Sequence, residues 1–160
     1  MFGSSSKTSD FIVDTLQSWW NDITPDQQQQ IQRIQLKVDN GPESSGIRTQ
    51  FLKRMLEFAD DICKPIHLLY YPPYHSKYNP PTRCWGILEK HWNGAKLTDA
   101  LTMLLWARNM TWKGLHPIVK VNLKTYEKGV SLTKKAMRAI ERRIERNPLL
   151  PKWDILIRPA

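Results

Sequence analysis

An apolar run beginning at Ile66 is cut off by Pro72 and Pro73, and neither a helix nor a strand can continue through that pair. The segment Leu68–Trp85 reads LLYYPPYHSKYNPPTRCW. After the prolines comes a polar turn (His75, Ser76, Lys77), and Asn79-Pro80 then opens a helix. A strand over 66–71 therefore ends in a loop that leads into a helix. That loop lies at the carboxyl end of the strand, where open α/β sheets keep their chemistry.

The rest of the chain supplies partners for that strand. Ile34-Gln35-Leu36-Lys37-Val38 alternates apolar and polar residues as a half-buried strand does, and Asp39-Asn40-Gly41-Pro42 is a strong turn signal. Phe51, Met55, Phe58 and Ile62 follow offsets of four, three and four, which predicts a helix over Thr49–Ile62 with Pro65 beyond it. Ser9 is a candidate N-cap for a helix to Asn21, and Thr24, Pro25 and Gln27 fit a capping box. Helices are also predicted over 80–92, from a Thr98 cap to Asn109, and over 133–146, with a short terminal strand over 153–157. Residues 1–9 read as a frayed, disordered tail. Of the seven tryptophans, Trp85 and Trp92 stand two helical turns apart and read as core.

The charge is uneven. From Trp112 onward, 12 basic and 4 acidic residues supply +8 of the net +9. A chain basic at one end points to a polyanionic partner, nucleic acid before an acidic membrane surface. Cys63 and Cys84 have neither metal-ligand nor disulfide spacing and read as reduced, buried thiols. No stretch approaches the ~20 apolar residues that cross a bilayer, and the N-terminus is unlike a signal peptide, so a soluble intracellular protein is expected.

Asp39 closes a strand just before a turn. A carboxylate there either shapes an Asx turn or ligates a hard cation such as Mg²⁺. His75 and Lys77 in the loop, with Arg83 beyond it, can either hold phosphates or stand solvated. At 100° per residue, Lys135, Arg138, Arg142 and Arg146 fall on one side of the predicted C-terminal helix, opposite Ala136, Ile140 and Ile144. That side is either a phosphate-binding face or an ordinary solvated one.

Together, DNGPE at Asp39–Glu43 and YYPPYHSKYNPPTRCWGILEKHW at Tyr70–Trp92 resemble the DDE transposases of bacterial insertion sequences. The likeness is to the ISAzo type and, more distantly, to mariner-like enzymes. TWKGLHP at Thr111–Pro117 and LPKWDILIRP at Leu150–Pro159 extend it over nearly the whole chain from Ser9. The resemblance implies a ribonuclease H-like domain in which three acids hold two Mg²⁺ or Mn²⁺ ions for DNA cleavage and strand transfer. It makes Asp39 the second acid and therefore a metal ligand. The third acid is expected as a Glu just before Arg83-Cys84-Trp85, where this chain has Thr82. Glu89, seven residues on, stands about 10.5 Å further along a helix axis, too far to substitute. Glu43 is nearer Asp39 in sequence.

The resemblance further implies that the first acid and its central strand lie upstream of Ser9. The expected fold class is thus α/β: a partial ribonuclease H-like fold over 10–111, lacking its first central strand and hairpin, with a basic helical C-terminal extension over 112–160. A sheet edge would stand open. The expected function is a transposase fragment, inactive alone, whose metals are not bound productively. The alternative is a non-enzymatic DNA-binding or regulatory protein acting on an intact transposase. Expected partners are DNA, an intact transposase or a separate N-terminal part, and no membrane. Expected localisation is the bacterial cytoplasm, at the nucleoid when DNA-bound.

Overall fold

The computed structural model describes residues 1–160 except Ser5, 73–79 and Leu97. The chain divides into two compact units, one of Ser5–Pro73 with Thr125–Ala160, the other of Met1–Ser4 with Tyr74–Lys124.

In the larger unit, α1 (Ser9–Asp22) is capped by Thr8, whose hydroxyl accepts from Phe11 N–H at 3.1 Å. The Ser9 hydroxyl, the cap expected from sequence, instead donates to the Glu43 carbonyl at 2.6 Å. Thr24 and Gln27 form the capping box of α2 (Pro25–Gln30). Then come β2 (Ile34–Val38), α3 (Thr49–Ile62) and β3 (Ile66–Tyr70), close to the bounds read from sequence. The stripe of α3 predicted its buried face, where Phe51, Leu52, Met55, Phe58 and Ala59 are almost wholly enclosed. Cys63 ends α3 in the left-handed conformation, φ 52°, and returns its N–H to Ala59 and Asp60. That cap turns Cys63 out into solvent, so the burial expected of it is corrected; Cys84 is half-buried, and both thiols are free.

The helix expected to reach Arg146 ends at Glu141. It is α6 (Lys134–Glu141), and Ile144–Arg146 form a strand, β5. Ile144 is buried as its stripe required, but it reaches the core by pairing opposite Ile157 of β6 (Asp154–Ile157). Tertiary pairing overrode the local helical period. The sheet order is β2-β3-β6-β5, with β2 and β3 parallel and β6 antiparallel to both β3 and β5. Ile34, Ile66, Leu68, Ile155 and Ile157 face the core that α1, α3 and α6 cover. On the opposite face His67 Nε2 lies 2.6 Å from Asp154 Oδ1.

In the smaller unit, β1 (Phe2–Gly3), within the tail expected to fray, pairs in parallel with β4 (Lys120–Val121). The terminal ammonium donates to the Ile118 carbonyl at 2.7 Å, and its burial lowers its pKa. The helices here are α4 (Pro80–Trp92) and α5 (Ala100–Asn109). Asp99 caps α5 through a 2.7 Å bond from Thr102 N–H, one residue after the Thr98 read from sequence. The core is small: Leu88, Ala107, Met110 and Val119, with Trp92 partly buried against them. Trp85 is 49% exposed, so its reading as core is corrected. Among the described residues, no helix is long and apolar enough to cross a membrane.

Candidate functional site

Because β2 and β3 run parallel, their carboxyl ends meet at one end of the sheet, with Val38 opposite Tyr70. Asp39 follows directly on Val38, and its side chain is exposed. Tyr71 N–H donates to the Val38 carbonyl at 3.0 Å, which extends the ladder to the last residue before Asp39.

The loop after Asp39 is held at several points. Ser44, itself buried, donates its hydroxyl to the Asp39 carbonyl at 3.1 Å and lies 3.4 Å from Asp39 Oδ1. Ser44 N–H closes a turn onto the Gly41 carbonyl at 3.2 Å. The Tyr70 hydroxyl donates to the Ser44 carbonyl at 2.7 Å. Burial holds the Tyr70 phenol well above its ordinary pKa, partly opposed by the positive charge of Arg146, so it remains a donor. Asp39 Oδ1 and Glu43 Oε2 each stand 3.7 Å from the point that a side-chain carbon on Gly41 would take. Two carboxylates and a hydroxyl therefore share one side of a pinned loop. The loop continues into a cleft of about 470 Å³ lined by Thr8, Asp10, Pro42, Glu43, Arg48 and Lys128, among others.

A hard cation takes carboxylate oxygens and water, so Asp39 and Glu43 are the residues of this loop that could hold one. Among the described residues, no three His, Cys, Asp or Glu side chains converge as a metal site. Thr82 lies on the first turn of α4, exposed, with Arg83 exposed beside it. Glu89 is exposed two turns further along the same helix. His75 and Lys77 lie outside the described residues.

The basic residues near the C-terminus divide. Lys135 and Arg138 are exposed on α6 and Arg142 is exposed at its C-cap; among the described residues, none of the three is ion-paired. Arg146 is elsewhere, on β5. Its guanidinium bonds Glu141 at 2.9 and 2.7 Å and the carbonyls of Gly46 and Pro151 at 2.9 and 2.7 Å. That network ties the end of α6 to two loops and withdraws Arg146 from the helix face. Ser44 and Tyr70 escaped the sequence reading as site residues. Their only signals are a serine five residues beyond the acid and a tyrosine ending the neighbouring strand.

Across residues 1–159 the chain matches the family described as the Rhodopirellula transposase DDE domain. No curated protein and no solved structure matches it. A strand-end aspartate on a pinned loop, in a chain matched almost from end to end, fits the sequence resemblance to insertion-sequence enzymes, and the chain belongs to the DDE transposase domain family.

Proposed function

We propose that this chain is a DNA-handling part of a DDE transposase that does not cut or join DNA by itself. The family supplies the substrate class, DNA. The observation that carries the reading is the exposed Thr82 on the first turn of α4, where the sequence resemblance leads us to expect the third acid. A threonine hydroxyl is neutral and cannot replace a carboxylate in balancing a second divalent ion. The β2–α3–β3 unit, with Asp39 at the carboxyl end of β2, supports a partial ribonuclease H-like assignment. In the family, divalent ions supply activation of the attacking oxygen and stabilisation of the leaving one. In this chain, Asp39 and Glu43 would hold at most one such ion.

DNA contact falls to the cations that are free to make it. Lys135, Arg138 and Arg142 are exposed and, among the described residues, not ion-paired, which favours phosphate binding by α6 and its C-cap; the same observation supports the alternative of a purely DNA-binding regulator. Each neutralised phosphate contributes a slope of about −0.9 in log K against log salt. The triple change of Lys135, Arg138 and Arg142 to Ala is therefore expected to weaken duplex binding and flatten the salt slope by up to about 3. Incubation of the chain with labelled duplex DNA and Mn²⁺ tests the catalytic reading. No cleavage or joining is expected. Metal-dependent cleavage that disappears in Asp39→Asn would refute it.

A further inference from the structure

The hairpin joining β5 to β6 turns at the same end of the sheet as Asp39, because β6 runs antiparallel to β3 and begins opposite Leu69. Its turn reads Asn147-Pro148-Leu149-Leu150-Pro151-Lys152-Trp153. Leu149 is 89% exposed and Leu150 50%. A single leucine in water means little. Here two are adjacent, between two prolines that each fix φ.

The turn is also pinned. Leu149 N–H donates to the Asn147 side-chain oxygen at 2.9 Å, and Leu150 N–H to the Asn147 carbonyl at 3.1 Å. Trp153 and Asp154 donate their N–H groups to the Leu150 carbonyl at 2.9 and 3.0 Å. Arg146 holds the Pro151 carbonyl together with that of Gly46, which fixes the turn to the loop that follows Asp39. Ile47, next to Gly46, is 60% exposed. The leucines therefore stand on a rigid support, and order present before binding lowers the cost of a contact.

We infer that this turn is a wedge for duplex DNA: Leu149 and Leu150 enter between base pairs and part the stack at the end of the sheet that carries Asp39. The inference rests on the DNA-handling reading above and assigns the side chains that deform the duplex. Two observations favour DNA over an apolar protein surface. From Asn147 to Trp153 the turn carries one charge, that of the exposed Lys152, and no acid. A phosphate backbone would meet a cation beside the apolar tip and no repelling carboxylate. The turn is also continuous with the loop after Asp39, since a side-chain carbon on Gly46 would stand 2.5 Å from the Lys152 carbonyl oxygen. The major groove alone is about 12 Å wide, so a duplex laid over one loop covers the other. The largest apolar surface that DNA offers a leucine lies between base steps, and apolar side chains entering there unstack the bases and kink the duplex.

Duplexes with 2-aminopurine in place of the adenine of TA steps, which unstack easily, test it. Stacking quenches the fluorescence of that base, and parting the stack restores it. At saturating concentration the full chain is expected to raise the fluorescence several-fold. Leu149→Ser with Leu150→Ser is expected to abolish the rise and leave the salt slope of binding unchanged, because no phosphate contact is removed. Leu149→Met with Leu150→Met is expected to keep the rise. Urea unfolding checks that the serine variant is folded, and Leu149→Ser alone repeats the test should the pair unfold. Binding without a rise in the wild type would overturn the inference, leave the DNA-handling reading intact and assign the leucines to a protein partner. A rise that survives in the serine variant, or a folded serine variant that no longer binds, would overturn it equally. Absence of any duplex binding would overturn both the inference and the reading beneath it.

Discussion

Gly46 and Tyr70 fix the loop that carries Asp39, by different means. A side-chain carbon on Gly46 would stand 2.5 Å from the Lys152 carbonyl oxygen and 3.0 Å from Ile155 Cδ1. The first of these is backbone and cannot swing away. Gly46→Ala is therefore expected to destabilise the chain by about 1–3 kcal/mol, the usual range for overpacking, as measured by urea unfolding. Tyr70→Phe keeps the ring in the core and leaves the Ser44 carbonyl without its donor. An unsatisfied buried acceptor costs about 1–3 kcal/mol. The same urea series checks this, and an unchanged midpoint would mean that water replaces the phenol. The strand end at Asp39 was legible in the sequence because a strand and a turn signal lie on either side of it, while its role as a ligand is what the family resemblance implies. Tyr70 and Ser44 were not, because their bond spans 26 residues and exists only once β3 lies beside β2.

At the scale of elements, patterns that are local were readable, and those settled by a distant partner were not. β2, α3 and α4 have the bounds their alternation, stripe and prolines predicted, since each signal is complete within the element. Arg142–Arg146 continues the helical period of α6, and only β6, lying beside it, converts its end into a strand. The same pairing separated Arg146 from Lys135 and Arg138. β6 also joins the sheet through charge. Asp154 is held below the usual carboxylate range by His67 and then by Asn147. On α3, Asp60 is lowered chiefly by Arg143, which bonds both its oxygens at 2.9 and 2.6 Å. A carboxyl whose folded pKa is depressed contributes stability above its unfolded value and loses it as pH falls through the folded value. Stability is therefore expected to decline as pH falls from about 5 to below 3.8, the ordinary aspartate value. The double variant Asp60→Asn, Asp154→Asn is expected to flatten that decline in unfolding curves recorded across the range.

For the molecule as a whole, the charge asymmetry seen in the sequence acquires structural meaning. Three of the twelve basic residues from Trp112 onward are engaged in ion pairs: Arg143 with Asp60, Arg146 with Glu141, and Arg158 with Glu145. The cations left over on α6 are few and face outward, so DNA affinity is expected to be moderate and sharply salt-dependent. The central claim is our proposal that Thr82 stands where the family has its third acid, so that Asp39 and Glu43 hold at most one divalent ion. Titration of the chain with Mn²⁺, followed by electron paramagnetic resonance, tests this without reference to activity. At most one weakly bound ion per chain is expected, lost in Asp39→Asn. Two tightly bound, spin-coupled ions per chain would contradict the account.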